Sequence, residues 1–465
     1  MKLTTYGAAQ TVTGSMHMVE VNGRTLLMDC GMYQGKRDDT YKVNLNFPFD
    51  PRSLDCVVLS HAHIDHSGNL PNLVRQGFQG PIWTTNATAD LTDIMLRDSG
   101  RIQEDDIKYV NKVRARQGLT HMEPLYTEKN AIETAPRFRS VFYEQAFNPI
   151  PGVTVTLHDA GHIIGSASVC VDVEENGTKK RLWFSGDIGR KEAPILNDPV
   201  LPSNADYLLM ECTYGDIVHP PMEEAFAEFK ELVLRTIKRG GKVIVPAFAV
   251  GRTQNLSYYL GQAIDQGEIP PIPVIVDSPL AVSASDIYRR HTECFDEETA
   301  RMLQEHRSPY LDFDHIIYTH SVDESKAINS FKEPCIIISA SGMAENGRIL
   351  HHLRNNIEDG RNSIALISYM APDTLGRRLQ EGQTKVRIFG EQFFRKAEVA
   401  RIEGFSAHGG QDMLVDYVKA TSNSLKKLIL VHGEEDPEKA LLNKLKQEVN
   451  LPDTVYPAKA ENFEL

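Results

Sequence analysis

The feature that most constrains this chain is a turn. A continuous apolar run over residues 56–60 leads straight into Ser60-His61-Ala62-His63-Ile64-Asp65-His66-Ser67-Gly68. Three imidazoles and one carboxylate therefore fall within six residues, just after what reads as a buried strand. Neutral imidazole and carboxylate are groups that zinc accepts as ligands. A turn at a strand end splays alternate side chains towards two neighbouring points, His61 and His63 to one, Asp65 and His66 to the other. One histidine is ordinarily a satisfied surface or core residue. Four donors packed this tightly point to a joint role, and a rigid strand beneath the turn would fix their geometry.

Two further donors share that context. His162 lies in Asp159-Ala160-Gly161-His162-Ile163-Ile164-Gly165-Ser166, between two strand-like runs. Asp187 lies in Phe184-Ser185-Gly186-Asp187-Ile188-Gly189, at the end of another. A carboxylate has two oxygens, so Asp187 can bridge two cations. The nitrogen-rich set favours zinc over calcium or magnesium, with manganese or iron as lesser options.

The rest of the chain says how such a site is carried. At 465 residues it is long enough for two or three domains. Residues 16–20 and 25–29 bracket Val21-Asn22-Gly23-Arg24, a hairpin signal. Residues 87–113 show helical spacing, and 153–158, 168–173 and 182–185 return to strand character. After Tyr207 the style changes. Helical patterns at 223–238 and 253–266 alternate with apolar runs at 242–246, 274–277, 335–338 and 363–368. That alternation implies a mostly parallel sheet with helices on its faces. Ligands of such sheets gather at the carboxyl ends of the strands. After Lys385 short strand runs resume, ending in residues 427–433 and a charged amphipathic helix over 437–449. A lobe inserted at 210–385 into a domain made of 1–209 and 386–465 accounts for this order.

Composition narrows the class. Hydrophobic residues make up 41% and charged residues 24%, as in a globular protein. The six cysteines are scattered with no C-x-x-C, which reads as free core thiols in a reducing compartment. No stretch approaches 18 apolar residues and the N-terminus lacks a secretory pattern, so a cytoplasmic location is expected, with no membrane. The net charge of −13 counts mildly against a nucleic-acid binder, although an enzyme needs only a local basic groove and metal ions near the phosphate.

These residues, in this order, resemble the metallo-β-lactamase superfamily, whose pattern H-x-H-x-D-H, later His, then Asp is matched in full. The resemblance implies that His61, His63 and His162 hold a first zinc and Asp65 and His66 a second. Asp187 bridges the two, and Asp29, at an early strand end, orients the site without being a ligand. Interruption by a helical and parallel-sheet lobe further resembles the β-CASP nucleases over nearly the whole chain. Glu211 in Leu209-Met210-Glu211-Cys212-Thr213 matches the acidic motif, and His408 in Gly404-Phe405-Ser406-Ala407-His408 matches the F-S-A-H motif. His432 in Val431-His432-Gly433-Glu434 matches the position that is His in RNA-acting members and typically Val in DNA-acting ones. Many members place an acid two residues after the F-S-A-H histidine. Here Gly409-Gly410-Gln411 follows and Asp412 is displaced.

The implied fold is a metallo-β-lactamase αββα sandwich with an inserted β-CASP α/β lobe. The implied reaction is hydrolysis of single-stranded RNA by a metal-bound hydroxide on two zinc ions, leaving 5′-phosphate and 3′-hydroxyl ends. His408 is the expected proton donor to the departing oxygen, Glu211 its partner, and His432 a further ligand of the second zinc. Ser341, Gly342 and Met343, in a strand-to-helix turn, and Arg348, read as lying in the helix that follows, are expected at an RNA phosphate. Endonuclease and 5′-3′ exonuclease modes share these residues, and a homodimer is compatible with the sequence. A DNA nuclease of the same superfamily and a small-molecule ester or thioester hydrolase are the alternatives. His432 speaks against the first, and the inserted lobe with Glu211, His408 and His432 against the second.

Overall fold

The structure, a computed structural model, describes residues 1–465 except 36, 176, 306–309 and 372. It divides into two compact units. One comprises Met1–Lys191, Asp198–Val218 and His408–Leu465, the other Glu192–Asn197 and His219–Ala407.

The first unit opens with β1 (Lys2–Gly7), β2 (Met16–Val21), β3 (Arg24–Met28), β4 (Cys56–Val58), β5 (Ile82–Thr85) and β6 (Phe138–Val141). The pairs β1–β2 and β2–β3 are antiparallel, and the pairs from β3 to β6 are parallel. A second sheet follows with β7 (Phe147–Ile150), β8 (Val153–Asp159), β9 (Ala167–Glu175), β10 (Thr178–Phe184) and β11 (Tyr207–Glu211). Alternation along these strands sets the layers. Leu26, Met28, Cys56 and Val58 join Val155, Leu157, Val169 and Phe184 in one core between the sheets. Leu27 and Val57, pointing the other way, pack with Leu70, Leu73 and Leu96 from helices on the outer face. Strands buried on both faces read as continuous apolar runs, which is why residues 56–60 show no alternation.

The second unit holds β12 (Val243–Pro246), β13 (Val274–Val276), β14 (Ile316–Tyr318), β15 (Ile336–Ser339) and β16 (Ser363–Leu366). The hairpin β17 (Lys385–Ile388) with β18 (Glu391–Phe394), and then β19 (Glu398–Arg401), complete it. Its main sheet runs β14-β13-β15-β12-β16-β19, every pair parallel. Since β19 pairs with β16, residues 386–407 lie with this unit, and the chain returns at His408 rather than at 386. The outward crossing likewise falls after Val218 rather than at 210.

Back in the first unit, β20 (Lys427–Val431) and β21 (Asp453–Val455) extend the second sheet beyond β11, while β22 (Glu461–Glu464) pairs with β1. Helices Gln411–Thr421 and Glu435–Glu448 cover the outer face of that second sheet with Leu414, Tyr417, Leu441 and Leu445. The layers are therefore helix, sheet, sheet, helix. All six cysteines are buried and free. No helix among the described residues is long and apolar enough to cross a membrane.

Candidate metal centre

Strand ends deliver the chemistry. Asp29 follows β3, His61 follows β4, Asp187 follows β10, Glu211 ends β11 and His432 follows β20. His162 lies in the loop between β8 and β9, and His408 bridges Gly189 beside Asp187. The histidine turn is pinned by backbone hydrogen bonds from Ser15, Cys30 and Met32 to the carbonyls of Asp65, His66 and Ile64, at 2.7, 2.8 and 2.9 Å. A side chain at Gly31 would meet the Asp65 carbonyl oxygen at 1.6 Å, so only glycine lets the two loops close.

The donors form two groups that share one carboxylate. In the first, His61, His63, His162 and Asp187 each offer an atom within 4.8 Å of the others. His63 Nδ1 lies 3.1 Å from both His61 Nε2 and His162 Nε2. Asp187 Oδ2 lies 3.4 Å from His61 Nε2 and 3.5 Å from His162 Nε2. Ligands at zinc-bond length on a tetrahedron stand about 3.3 Å apart. In the second group, His66 Nε2 is 3.1 Å from His432 Nε2, and His432 Nε2 is 3.6 Å from Asp65 Oδ2. The other oxygen of Asp187, Oδ1, is 3.1 Å from His66 Nε2. Oδ1 is buried and accepts no hydrogen bond. An orphaned carboxylate oxygen among imidazole nitrogens is costly unless a cation fills the gap, so the residues present fit a pair of metal ions.

Hydroxyl groups set the tautomers. Ser60 Oγ donates to Asp29 Oδ2 at 3.0 Å, so it accepts from His61 Nδ1 at 3.1 Å and leaves Nε2 bare. Thr213 Oγ1 donates to the His432 carbonyl at 2.9 Å, so it accepts from His432 Nδ1 at 3.0 Å. His66 Nδ1 donates directly to Asp29 Oδ2 at 2.7 Å. His162 Nδ1, by contrast, finds no acceptor.

A third group, Asp187, Glu211 and His408, adjoins the first two. His408 Nδ1 lies 3.1 and 3.2 Å from the two oxygens of Glu211, and its Nε2 is 3.8 Å from Asp187 Oδ2. Glu211 is itself held by the Ile188 amide at 2.5 Å. Burial opposes a charge on His408, but the carboxylates of Glu211 and Asp187 outweigh it and push the pKa up to about 9. Burial pulls His61 and His162 down and takes His63 to about 3, keeping these rings neutral, the form in which imidazole can bind a metal. Burial also opposes the charge on Asp187, yet the surrounding imidazoles hold its pKa well below the carboxylate range. Most of the set is sealed, but the side chains of Asp65 and His408 are 25% and 20% exposed and mark the open side.

The structure thus brings together His61, His63, Asp65, His66, His162, Asp187, Glu211, His408 and His432, with Asp29 beneath them. Ser341, Gly342, Met343 and Arg348 lie in the second unit. There Ser341 Oγ caps its own turn, accepting from the Glu345 amide at 3.1 Å, and Arg348 pairs with Asp277 at 2.7 Å. Arg348 stands at the position just before the helix Ile349–Asn356 rather than within it. Thr213, Ser60 and Ser15 escaped the sequence reading, because each matters only through a partner that no spacing reveals. Thr213, for example, stands 219 residues from His432.

Residues 10–247, more than half of the chain, match the metallo-beta-lactamase superfamily. Residues 253–379 match the Beta-Casp domain. The chain belongs to the metallo-β-lactamase superfamily, in its β-CASP branch. Residues 395–456 of this β-CASP chain match a Zn-dependent metallo-hydrolase RNA specificity domain. It is 35% identical over 441 residues to Ribonuclease TTHA0252 of Thermus thermophilus, covering 95% of each chain. It is 31% identical over 445 residues to the transcription termination factor FttA of Methanocaldococcus jannaschii, covering 94% of this chain and 67% of that one. An RNase J-like protein of the same organism is 31% identical over 441 residues. A crystal structure of a protein of unknown function from Enterococcus faecalis superposes with a TM-score of 0.58 at 12% identity, a likeness of fold alone.

Proposed function

We propose that this β-CASP chain is a zinc-dependent ribonuclease that hydrolyses phosphodiester bonds of single-stranded RNA and leaves 5′-phosphate and 3′-hydroxyl ends. The observation that carries the reading is the division of Asp187. One of its oxygens faces His61 and His162, and the other faces His66, with the Glu211–His408 pair alongside. Relatives named as a ribonuclease and an RNase J-like protein, aligned over nearly their whole length, support RNA as the substrate.

His61, His63 and His162 would hold one cation and Asp65, His66 and His432 the other, with Asp187 between the two groups. Two cations held there supply the charge that draws in a phosphate oxygen, lowers the pKa of water and stabilises the in-line transition state. The carboxylates of Glu211 and Asp187 favour the protonated form of His408, whose Nε2 lies 3.8 Å from Asp187 Oδ2. From there it donates a proton to the departing 3′-oxygen of ribose. Glu211, acceptor for Nδ1, fixes the ring and its charge. Arg348, anchored by Asp277, has further N–H donors for an RNA phosphate beside the Ser341-Gly342-Met343 turn.

End-labelled single-stranded RNA and DNA of matching sequence, incubated with zinc-loaded protein, test this reading. RNA is expected to be cut and DNA left intact. Asp65→Ala and His408→Ala are each expected to lower the rate at least a hundredfold. The product ladder separates internal cutting from trimming at the 5′ end. Intact RNA in the presence of fully loaded protein would sink the proposal.

A further inference from the structure

Asp29 is not simply a brace for one ligand. Its Oδ2 receives three donors: His66 Nδ1 at 2.7 Å, Ser60 Oγ at 3.0 Å and Ser15 Oγ at 3.0 Å. Its Oδ1 receives the Ser60 amide at 2.8 Å. Through His66 it reaches the second donor group directly, and through Ser60 and His61 it reaches the first. One buried carboxylate therefore sets the tautomer of a ligand in each group.

The Ser15 hydroxyl, with its single proton committed to Asp29, must accept from whatever lies behind it. That neighbour is His17, whose Nε2 is 3.4 Å away. His17 is fully buried at the start of β2, its ring edge-on to Phe184 at 5.3 Å. Burial drives its pKa down to about 3, so the ring is neutral and carries one proton. Its Nδ1 has no partner. A neutral ring with only one engaged nitrogen keeps its proton there, on Nε2, facing Ser15.

We propose that Ser15 and His17 are positioning residues for both cation sites, a chain of donors from His17 through Ser15 to Asp29 that holds His61 and His66 with bare Nε2 atoms. The proposal rests on the two-cation reading above. The Ser15 hydroxyl bonds Asp29 and faces His17 Nε2, and removing it leaves the backbone bond of Ser15 to Asp65 intact. Partners behind metal ligands typically set metal affinity by ten- to a hundredfold.

Zinc titration of the metal-stripped full-length chain, by chelator competition, reads the effect. The downfield Nδ1–H proton resonance of His66, assigned by its loss in His66→Gln, reads the tautomer without reference to activity. Wild-type protein is expected to bind two equivalents. Ser15→Ala and His17→Leu are expected to weaken both by about tenfold and to shift or broaden the His66 resonance. His17→Gln, which restores an N–H donor towards Ser15, is expected to recover most of the loss. A merely structural role for His17 would not be rescued in this way. If His17→Leu fails to fold, Ser15→Ala, which deletes a single oxygen, carries the test. Wild-type binding of both ions with unchanged constants and resonance in Ser15→Ala would overturn the proposal. Failure of the wild-type chain to bind zinc at all would overturn the two-cation reading itself.

Discussion

At the scale of the residue, the site holds identical side chains in different charge states. His61, His63 and His162 are held neutral by burial, while His408 is held cationic by Glu211 and Asp187. The difference lies in what faces each ring. His408 Nδ1 faces both oxygens of the Glu211 carboxylate, whereas the rings of His61, His63 and His162 face one another. A pH prediction follows from the sign. A raised pKa means the donor proton is present below about 9 and is lost above it, so cleavage should decline on the alkaline side. Glu211→Gln keeps the size of the side chain and removes its charge, so the alkaline limb is expected to move down by about one pH unit or more. Rate profiles of the two proteins check this. An unmoved limb would remove His408 from the role of proton donor. The donors that the structure gathers around Asp187 were legible in the sequence as strand-end clusters of His and Asp, which have few other uses. Thr213, Ser60 and Ser15 were not, because a hydroxyl is informative only when its partner is in view.

At the scale of the element, the second unit carries its own buried polar knot. Asp277, just after β13, accepts from His352 at 2.6 Å, Ser325 at 2.7 Å and Arg348 at 2.7 Å, and from Thr319 as well. Burial alone would raise its pKa, but these donors win and hold the carboxyl below its usual range. Asp277→Ala would leave Arg348 and a fully buried His352 without their acceptor, which is expected to destabilise the unit by about 3 kcal/mol or more. Because the folded pKa is depressed, Asp277 stabilises above about pH 4 and loses that contribution as the pH falls further. Urea midpoints of wild-type and Asp277→Ala proteins should therefore lie far apart at pH 7 and converge in acid. The same unit shows where the sequence misleads. Residues 386–407 form short, partly exposed strands, in the style of the first unit, and nothing local to them reveals that β19 pairs with β16. Long helices and fully apolar strands, whose period is set by burial, were placed within a few residues. Sheet membership depends on pairing across long stretches of chain and was not.

At the scale of the whole molecule, the candidate metal groups all draw on the first unit, while the second has a separate core around Ile244, Ile337, Leu353 and Leu366. Metal removal is therefore expected to act on one unit far more than on the other. A ligand that binds only the folded state adds RT ln(1 + [L]/Kd), about 2.7 kcal/mol for each site at a free concentration one hundred times Kd. Without cations the first unit also keeps the orphaned Asp187 oxygen and closely opposed imidazole nitrogens, which adds to the loss. Calorimetry with zinc and then with a chelator should show one component of the unfolding transition falling sharply. The component belonging to Glu192–Asn197 and His219–Ala407 should stay near its original temperature. Asp187→Ala, which removes the bridging carboxylate, should make the first component nearly insensitive to zinc. A uniform shift of the whole transition would mean that the two units unfold as one, and a transition indifferent to zinc would mean that the groups around Asp187 hold no metal.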